Sequence, residues 1–492
     1  MRLLFISGSA SCVSHDEAPT GRGPKPGCSM ASVTSSDQDQ ARNKPDRKRQ
    51  ARSTYAVIAS LAIPTFGQLI AEPLFVMIDT GIVGHVSDSA LAGLSIGSTV
   101  VLTTVGLCVF LAYGTTSQVA RLMGAGRRRE GMETGVDGMW LAFIIGVVVC
   151  AILMIFSRPL CSAMGASGQV LDAAQQYLNA LIFGLPAMLL VYAANGIFRG
   201  LQKVNITLVA AISGAILNTI LEVLFVFGLH MGILGSGLAT LIAEWYMGLF
   251  LTIPALIWAR REGASLRPRM SGIASSMGDG FPLFLRTLAL RVCLVMTVVA
   301  AAHLGERVLA AYQGVNSAWN FGLNMLDAVG IAGQSLVATE LGAHHKARAR
   351  KMTDLSAKAG MIMGVLVGLV MIALGLFATP LFSPTPAIRS LITVGMIVQG
   401  AFMPIAGWMW ALDGILIGAE DYRYLAATCS LTALVYVACL LGLTNLAQGW
   451  EDTWRIAMLW GAINILFIGI RAIFNGLRAR TDTWMDRALV AD

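Results

Sequence analysis

From Tyr55 onward the chain alternates long apolar stretches with short polar joints. A helix needs about 20 mostly apolar residues to cross the hydrocarbon core of a bilayer. Stretches of that kind lie at 55–83, 91–122, 136–157, 169–198, 206–229, 235–259, 280–303, 308–339, 356–378, 386–416, 424–447 and 454–477, twelve in all. In lipid each span must satisfy its own backbone hydrogen bonds, which helices do and isolated strands do not. The pattern therefore predicts an all-α integral membrane protein of twelve transmembrane helices. Residues 1–53 read differently, as a polar tail containing Gly, Pro and Ser and ending in "RNKPDRKRQAR". Such a composition buries too little apolar surface to fold alone. The opening "MRLLFIS" is too short an apolar run for a secretory signal, and Met30 is a possible alternative start.

The second pattern is an internal repeat. An offset of 218 residues lays Pro64 and Phe66 on Pro282 and Phe284, His85 on His303, and "SQVARLMGA" (117–125) on "SLVATELGA" (335–343). It also lays Pro186 on Pro404, Asn195 on Asp413 and Gly200 on Gly418. Six helices, an even number, separate the copies, so both keep the same topology and a pseudo-two-fold axis should run along the membrane normal. The expected parsing is a disordered basic tail (1–53), a first six-helix lobe (54–260), a basic inter-lobe loop (261–279), a second lobe (280–478) and a short tail (479–492). That is the plan of a secondary transporter with substrate bound between lobes.

Composition supports the membrane reading: 56% of the 492 residues are hydrophobic and 13% charged, against roughly a quarter charged in ordinary soluble domains. The net charge of +7 is a membrane protein's loop charge and not a nucleic-acid signal. Arg127–Arg129, Arg199, Lys203, "ARREGASLRPR", "HHKARARK", Arg423 and "RARTDTWMDR" all fall on one side. The positive-inside rule makes that side cytoplasmic, with both termini there. Cys108, Cys150, Cys293, Cys429 and Cys439 lie in apolar runs and read as small hydrophobes. No phosphate-binding loop and no Cys/His metal cluster occurs, so neither ATP nor a metal cofactor is expected. The histidines lack the i,i+4 pairing of a metalloenzyme, so an enzyme is not expected either.

Charges inside spans cost roughly 2.5–3.5 kcal/mol each on insertion scales, which makes each one a functional candidate. The first lobe offers Glu72 and Asp79, seven residues apart on nearly one helix face, then Asn195, the i,i+4 pair Asn218 and Glu222, and Thr240. Carboxylates among amides and hydroxyls in a low dielectric can load and release a proton near neutrality. The bland reading is a polar cluster that joins helices. The second lobe offers Arg286, Arg291, Asp327 and Asp413, where an Arg–Asp327 pairing would be structural. Trp319, Trp408 and Trp410 are candidates for a substrate cavity, with core packing as the alternative. Gly360, Gly364 and Gly368 are spaced for close helix packing.

"MIDTGIVGH", "NGIFRG", "LNTILEVLFVFG", "GILGSGLAT", "LAAYQ", "LDAVGIAGQSLVATELGA" and "ALDGILIGAED", in that order, resemble the multidrug and toxic compound extrusion (MATE) transporters, and among them the DinF-like branch. The resemblance covers residues 55–478. It implies two six-helix bundles and antiport of organic, often cationic compounds or lipophilic drugs against a coupling cation in the plasma membrane, with the DinF-like branch implying protons. It further implies an ion-coupling network at Asp79, Asn195, Asn218, Glu222 and Thr240, where Glu222 departs from the more usual aspartate. Arg286 and Arg291 stand in the seventh helix, where other branches place an acid. With two lobes in one chain a monomer is expected. The alternatives are a sodium-coupled antiporter and a flippase for lipid-linked precursors, which a cationic cavity would favour.

Overall fold

A computed structural model describes residues 44–490, with side chains from Tyr55 onward apart from Glu72, Phe75 and Val490. The predicted tail falls outside the described residues through position 43, and from Lys44 the chain is already helical. From Ala51 onward the chain forms one compact unit. Twelve are long and apolar enough to span a membrane: α1 (Tyr55–Gly84), α2 (Asp88–Gly124), α3 (Arg128–Ala163), α4 (Gly168–Gly200), α5 (Asn205–Gly228), α6 (Gly232–Arg261), α7 (Met270–Leu304), α8 (Glu306–Gly342), α9 (Lys346–Phe377), α10 (Pro386–Gly418), α11 (Tyr422–Gly449) and α12 (Asp452–Arg480). A short α13 (Thr483–Val490) follows. No strand occurs among the described residues.

Local chemistry sets the ends and breaks. Ser87 caps α2 by accepting from the Ala90 amide at 3.1 Å, with Asp88 in the first turn. Helix α2 is interrupted at Cys108–Val109, between Asp88–Leu107 and Phe110–Gly124. Helix α4 tightens into a 3-10 turn at Ile182–Gly184, where Pro186 has no amide to donate. The helices run past the predicted limits because the polar residues flanking the apolar stretches continue the helix. Thus α7 begins at Met270, not near 280, and the inter-lobe loop shrinks to 262–269. Arg269 in that loop donates to Asp137 (2.7 Å) and Glu133 (2.5 Å) of α3, which fastens the loop against the first half.

The repeat is visible in the backbone. Gly126 and His344, 218 apart, both adopt left-handed conformations (φ 75° and 57°), as do Gln202 and Glu420 (φ 57° and 60°). All four terminate helices through paired 6→1 and 5→2 bonds, such as Arg127 N to Leu122 O and His345 N to Glu340 O. One apolar cluster draws only on residues 83–273 and a second only on 289–472. The two halves meet where α2 crosses α8. A Cβ on Gly124 would overlap the Thr339 carbonyl, and one on Gly342 would overlap that of Arg121. These two contacts exchange under the 218-residue offset, as do two hydrogen bonds. Ser117 Oγ donates to Ile417 O (2.9 Å), and Ser335 Oγ donates to Arg199 O (2.7 Å). The seam is therefore self-complementary, like an isologous dimer interface.

These contacts gather at the end that carries the basic loops. Segment Phe110–Gly124 of α2 packs on α7, α8 and α10, whereas Asp88–Leu107 reaches the second half mainly at α7. In α9, Cβ atoms on Gly360, Gly364 and Gly368 would overlap the carbonyls of Gly407, Met403 and Gly400. The glycine spacing read from sequence does mark a close helix crossing, α9 on α10.

Candidate functional site

Asp79 lies five residues before the end of α1, and Glu222 six before the end of α5. Both therefore stand within roughly 10 Å of the end opposite the basic loops. Asn218 Nδ2 donates to Asp79 Oδ1 at 2.9 Å, and all three side chains are buried, Asn218 and Glu222 completely. The Glu222 carboxyl faces that of Asp79, with Ser236 beside it, and the Thr240 hydroxyl also lies beside Asp79. By hydrogen-bond geometry neither Glu222 oxygen, nor Asn218 Oδ1, meets a donor among the described residues. Two facing carboxylates without a cation between their oxygens cannot both stay ionised at low cost. The arrangement is suited to hold one proton, or a small cation bound by oxygens.

Sequence reasoning missed Tyr177 of α4. Its ring is buried, its hydroxyl lies beside Thr240 and Ser98, and it neighbours Asp79. The ring fits because Gly97 has no side chain: a Cβ there would come within 2.6 Å of it. A tyrosine in an apolar run gives no sign of its depth, so only the paired small residues Gly97 and Ser98 hinted at a slot.

Asn195, expected in this cluster, is elsewhere. It follows Tyr177 by eighteen residues on α4, about 27 Å along the axis. It is buried near the α2 crossing, where its neighbour Gly196 packs on Thr115. The repeat aligns Asn195 with Asp413, and both stand five residues before the basic ends of their helices, α4 and α10. In the second half Asp413 accepts from Arg286, from Arg471 Nη2 (3.1 Å) and from Asn475 (3.0 Å). In the first half Gln68, the mate of Arg286, accepts from Arg199 Nη2 at 2.9 Å. Asp413 is thus a buried counter-ion for two guanidinium groups. The expected Arg–Asp327 pairing does not form; Asp327 Oδ1 instead accepts from Trp410 Nε1 at 2.7 Å. Arg291 is exposed on α7 beside Gly106 of α2, and no hydrogen bond or ion pair joins it to another described residue.

The tryptophans are packing groups to different degrees. Trp319 is fully buried, edge-on to Trp460, which stacks on Tyr312 at 5.1 Å. It is core, not cavity wall, because the apolar interior of the second half closes around it. Trp408 fits against Gly476 of α12, and Trp410 lies against Arg471 (5.1 Å) while holding Asp327. The Glu72 side chain lies outside the described residues. No group of three His, Cys, Asp or Glu side chains suited to a metal occurs among the described residues.

The offset also carries Asp79 onto Thr297 and Asn218 onto Tyr436. These mates are hydrogen-bonded too, Thr297 Oγ1 to Tyr436 Oη at 2.6 Å, while Glu222 falls on Leu440. Each half therefore has a polar bridge at the same place, and only the first half's bridge is acidic.

Comparison with known proteins agrees with this architecture. The model of the MatE family matches twice, at residues 64–224 and 282–441. "Protein DETOXIFICATION 42" of Arabidopsis thaliana is 24% identical over 376 residues, 75% of this chain and 70% of that protein. "DNA damage-inducible protein F" of Escherichia coli is 26% identical over 419 residues, 84% of this chain and 89% of that protein. A solved structure described as the outward-facing conformation of a multidrug resistance MATE family transporter superposes with a TM-score of 0.77 at 20% identity, covering 88% of this chain and 96% of that one.

Proposed function

The chain belongs to the MatE family of multidrug efflux transporters, and on that footing we propose that it is a proton-coupled antiporter exporting organic, often cationic compounds across the plasma membrane. The observation that carries the coupling assignment is the facing pair Asp79 and Glu222, held by Asn218 and Thr240. One proton shared between the two carboxyls lets α1 and α5 close on each other. Loss of that proton leaves two buried charges that favour a different packing of α1. Protonation can bias the lobes only by its differential free energy in the two states, and the buried pair is where that difference arises. Rocking of the two lobes about the central site then gives alternating access. The basic end is assigned to the cytoplasm by its Lys and Arg content, and the functional unit is a monomer. Asn195 is left out of the coupling site.

Sodium coupling is the nearest variant, because carboxylate, amide and hydroxyl oxygens suit either ion. The test is ethidium efflux from a drug-sensitive bacterial host at matched expression, under imposed pH or sodium gradients. Wild type is expected to export under a pH gradient, and Asp79→Asn to lose at least about tenfold in rate, or about 1.4 kcal/mol. Equal export by both proteins would make the cluster structural. Export driven only by sodium would replace the proton.

A second reading, transport of a lipid-linked anionic precursor, is favoured by one residue. Arg291 presents a guanidinium with no partner among the described residues beside the break in α2, and intramembrane charges commonly mark substrate pathways. Export of a lipid-linked phosphate analogue that fails in Arg291→Gln, with no ethidium efflux, would select it.

A further inference from the structure

The seam at the basic end has one contact that is charged in one copy of the repeat and neutral in the other, Arg121–Glu420 against Gln202–Thr339 (3.3 Å). Arg121 of α2 is buried, and its repeat mate is the uncharged Thr339. Its Nη1 donates to Glu420 Oε2 at 2.8 Å, in the α10–α11 turn, and its Nη2 donates to the carbonyl of Ala488 in α13. Both partners come from the second half of the chain. Helix α13 is itself fastened to that half. Trp484, Met485 and Ala488 are buried in a cluster with Val337 and Leu341 of α8, Ala349 of α9 and Leu416 of α10. Lys346 pairs with Asp486 (2.7 Å) and Asp482 (3.4 Å), and Arg350 with Asp482 and the Thr481 carbonyl. Arg478 pairs with Asp421 at 2.6 Å. The Arg350 hydrogen bond, aided by Lys346, holds the Asp482 carboxyl below its ordinary range.

Separating α2 from α8 at this end therefore needs more than parting two glycine ridges. It removes a buried guanidinium from two acceptors, a costly step unless new partners appear. One of those acceptors belongs to neither bundle of spans: it sits on the eight-residue α13, joined to α12 by the short link 481–482.

We propose that α13 is a latch: docked, it holds the basic ends of the two lobes together through Arg121, and undocked, it lets that end open. The inference rests on the alternating-access reading above, but its test does not depend on which compound is carried.

The experiment is a distance measurement between spin labels at Arg128→Cys and Ala347→Cys, in a full chain freed of its native cysteines and reconstituted in lipid. The full chain is expected to give one dominant short distance. A chain ended after Arg480 should add a longer population at least several-fold more abundant than in the full chain. Asp482→Arg, which sets a cation against Lys346 and Arg350, should add the same longer population. Adding Arg350→Glu to Asp482→Arg should reduce it again. An unchanged distribution in both the shortened chain and Asp482→Arg overturns the latch. So does a longer population that Arg350→Glu fails to reduce. Ethidium efflux is read separately: a latch effect without efflux leaves the latch standing and removes the drug-export reading.

Discussion

Single side chains in this protein differ mainly in whether their charge is balanced. Asp413 is buried with three donors around it, two of them guanidinium groups. Removing one member of such a set leaves uncompensated buried charge, which typically costs about 3–5 kcal/mol. Asp413→Leu is therefore expected to lower the thermal midpoint in detergent sharply, as read by fluorescence-detected size exclusion after heating. A triple change, Asp413→Leu with Arg286→Met and Arg471→Met, should recover much of the loss. The Asp79–Glu222 pair is the opposite case, with acceptors facing acceptors. Its instability when doubly charged is what the proposed coupling role draws on.

Between elements, the closest approaches are made by glycines. On α9 each of Gly360, Gly364 and Gly368 lies against a carbonyl of α10, so an added methyl must separate the helices along their length. Overpacking of this kind typically costs about 1–3 kcal/mol. Gly364→Ala is expected to lower the thermal midpoint measurably, whereas Gly442→Ala, whose Cβ would meet nothing within 4 Å, should not. The same steric logic acts at α2 and α8, where Gly124 and Gly342 let two helices touch through their backbones. There the contact joins lobes, so it bears on the conformational balance as well as on stability.

Over the whole molecule the pseudo-symmetry separates architecture from function. Both halves bridge the same two helices at the same place, by Asp79–Asn218 in one and Thr297–Tyr436 in the other. A shared bridge serves the fold; acidity found in one copy alone needs another explanation. Thr297→Ala is accordingly expected to leave the pH-driven ethidium efflux rate within about twofold of wild type, a difference of about 0.4 kcal/mol. Loss of coupling in Thr297→Ala comparable to that in Asp79→Asn would place coupling in both lobes. At the basic-end seam the glycine contacts and the Ser117 and Ser335 bonds exchange under the repeat, whereas the Arg121 charge occurs in one copy alone, and it is this charge that the proposed latch uses.

The sequence by itself determined the twelve spans, the 218-residue repeat, the intramembrane acids and the glycine crossing of α9. Each is written in local composition or in a fixed spacing, because lipid imposes span length and helix geometry imposes periodicity. Tertiary structure alone decided which side chains share a depth and a face. It moved Asn195 away from Asp79, brought in Tyr177, gave Arg286 to Asp413 instead of Asp327, and enclosed Trp319 in a core. The hydropathy of one helix does not specify its rotation or its axial offset against the next. Those follow from where small residues let helices approach and where buried charges find partners, and both are settled only when the whole bundle packs.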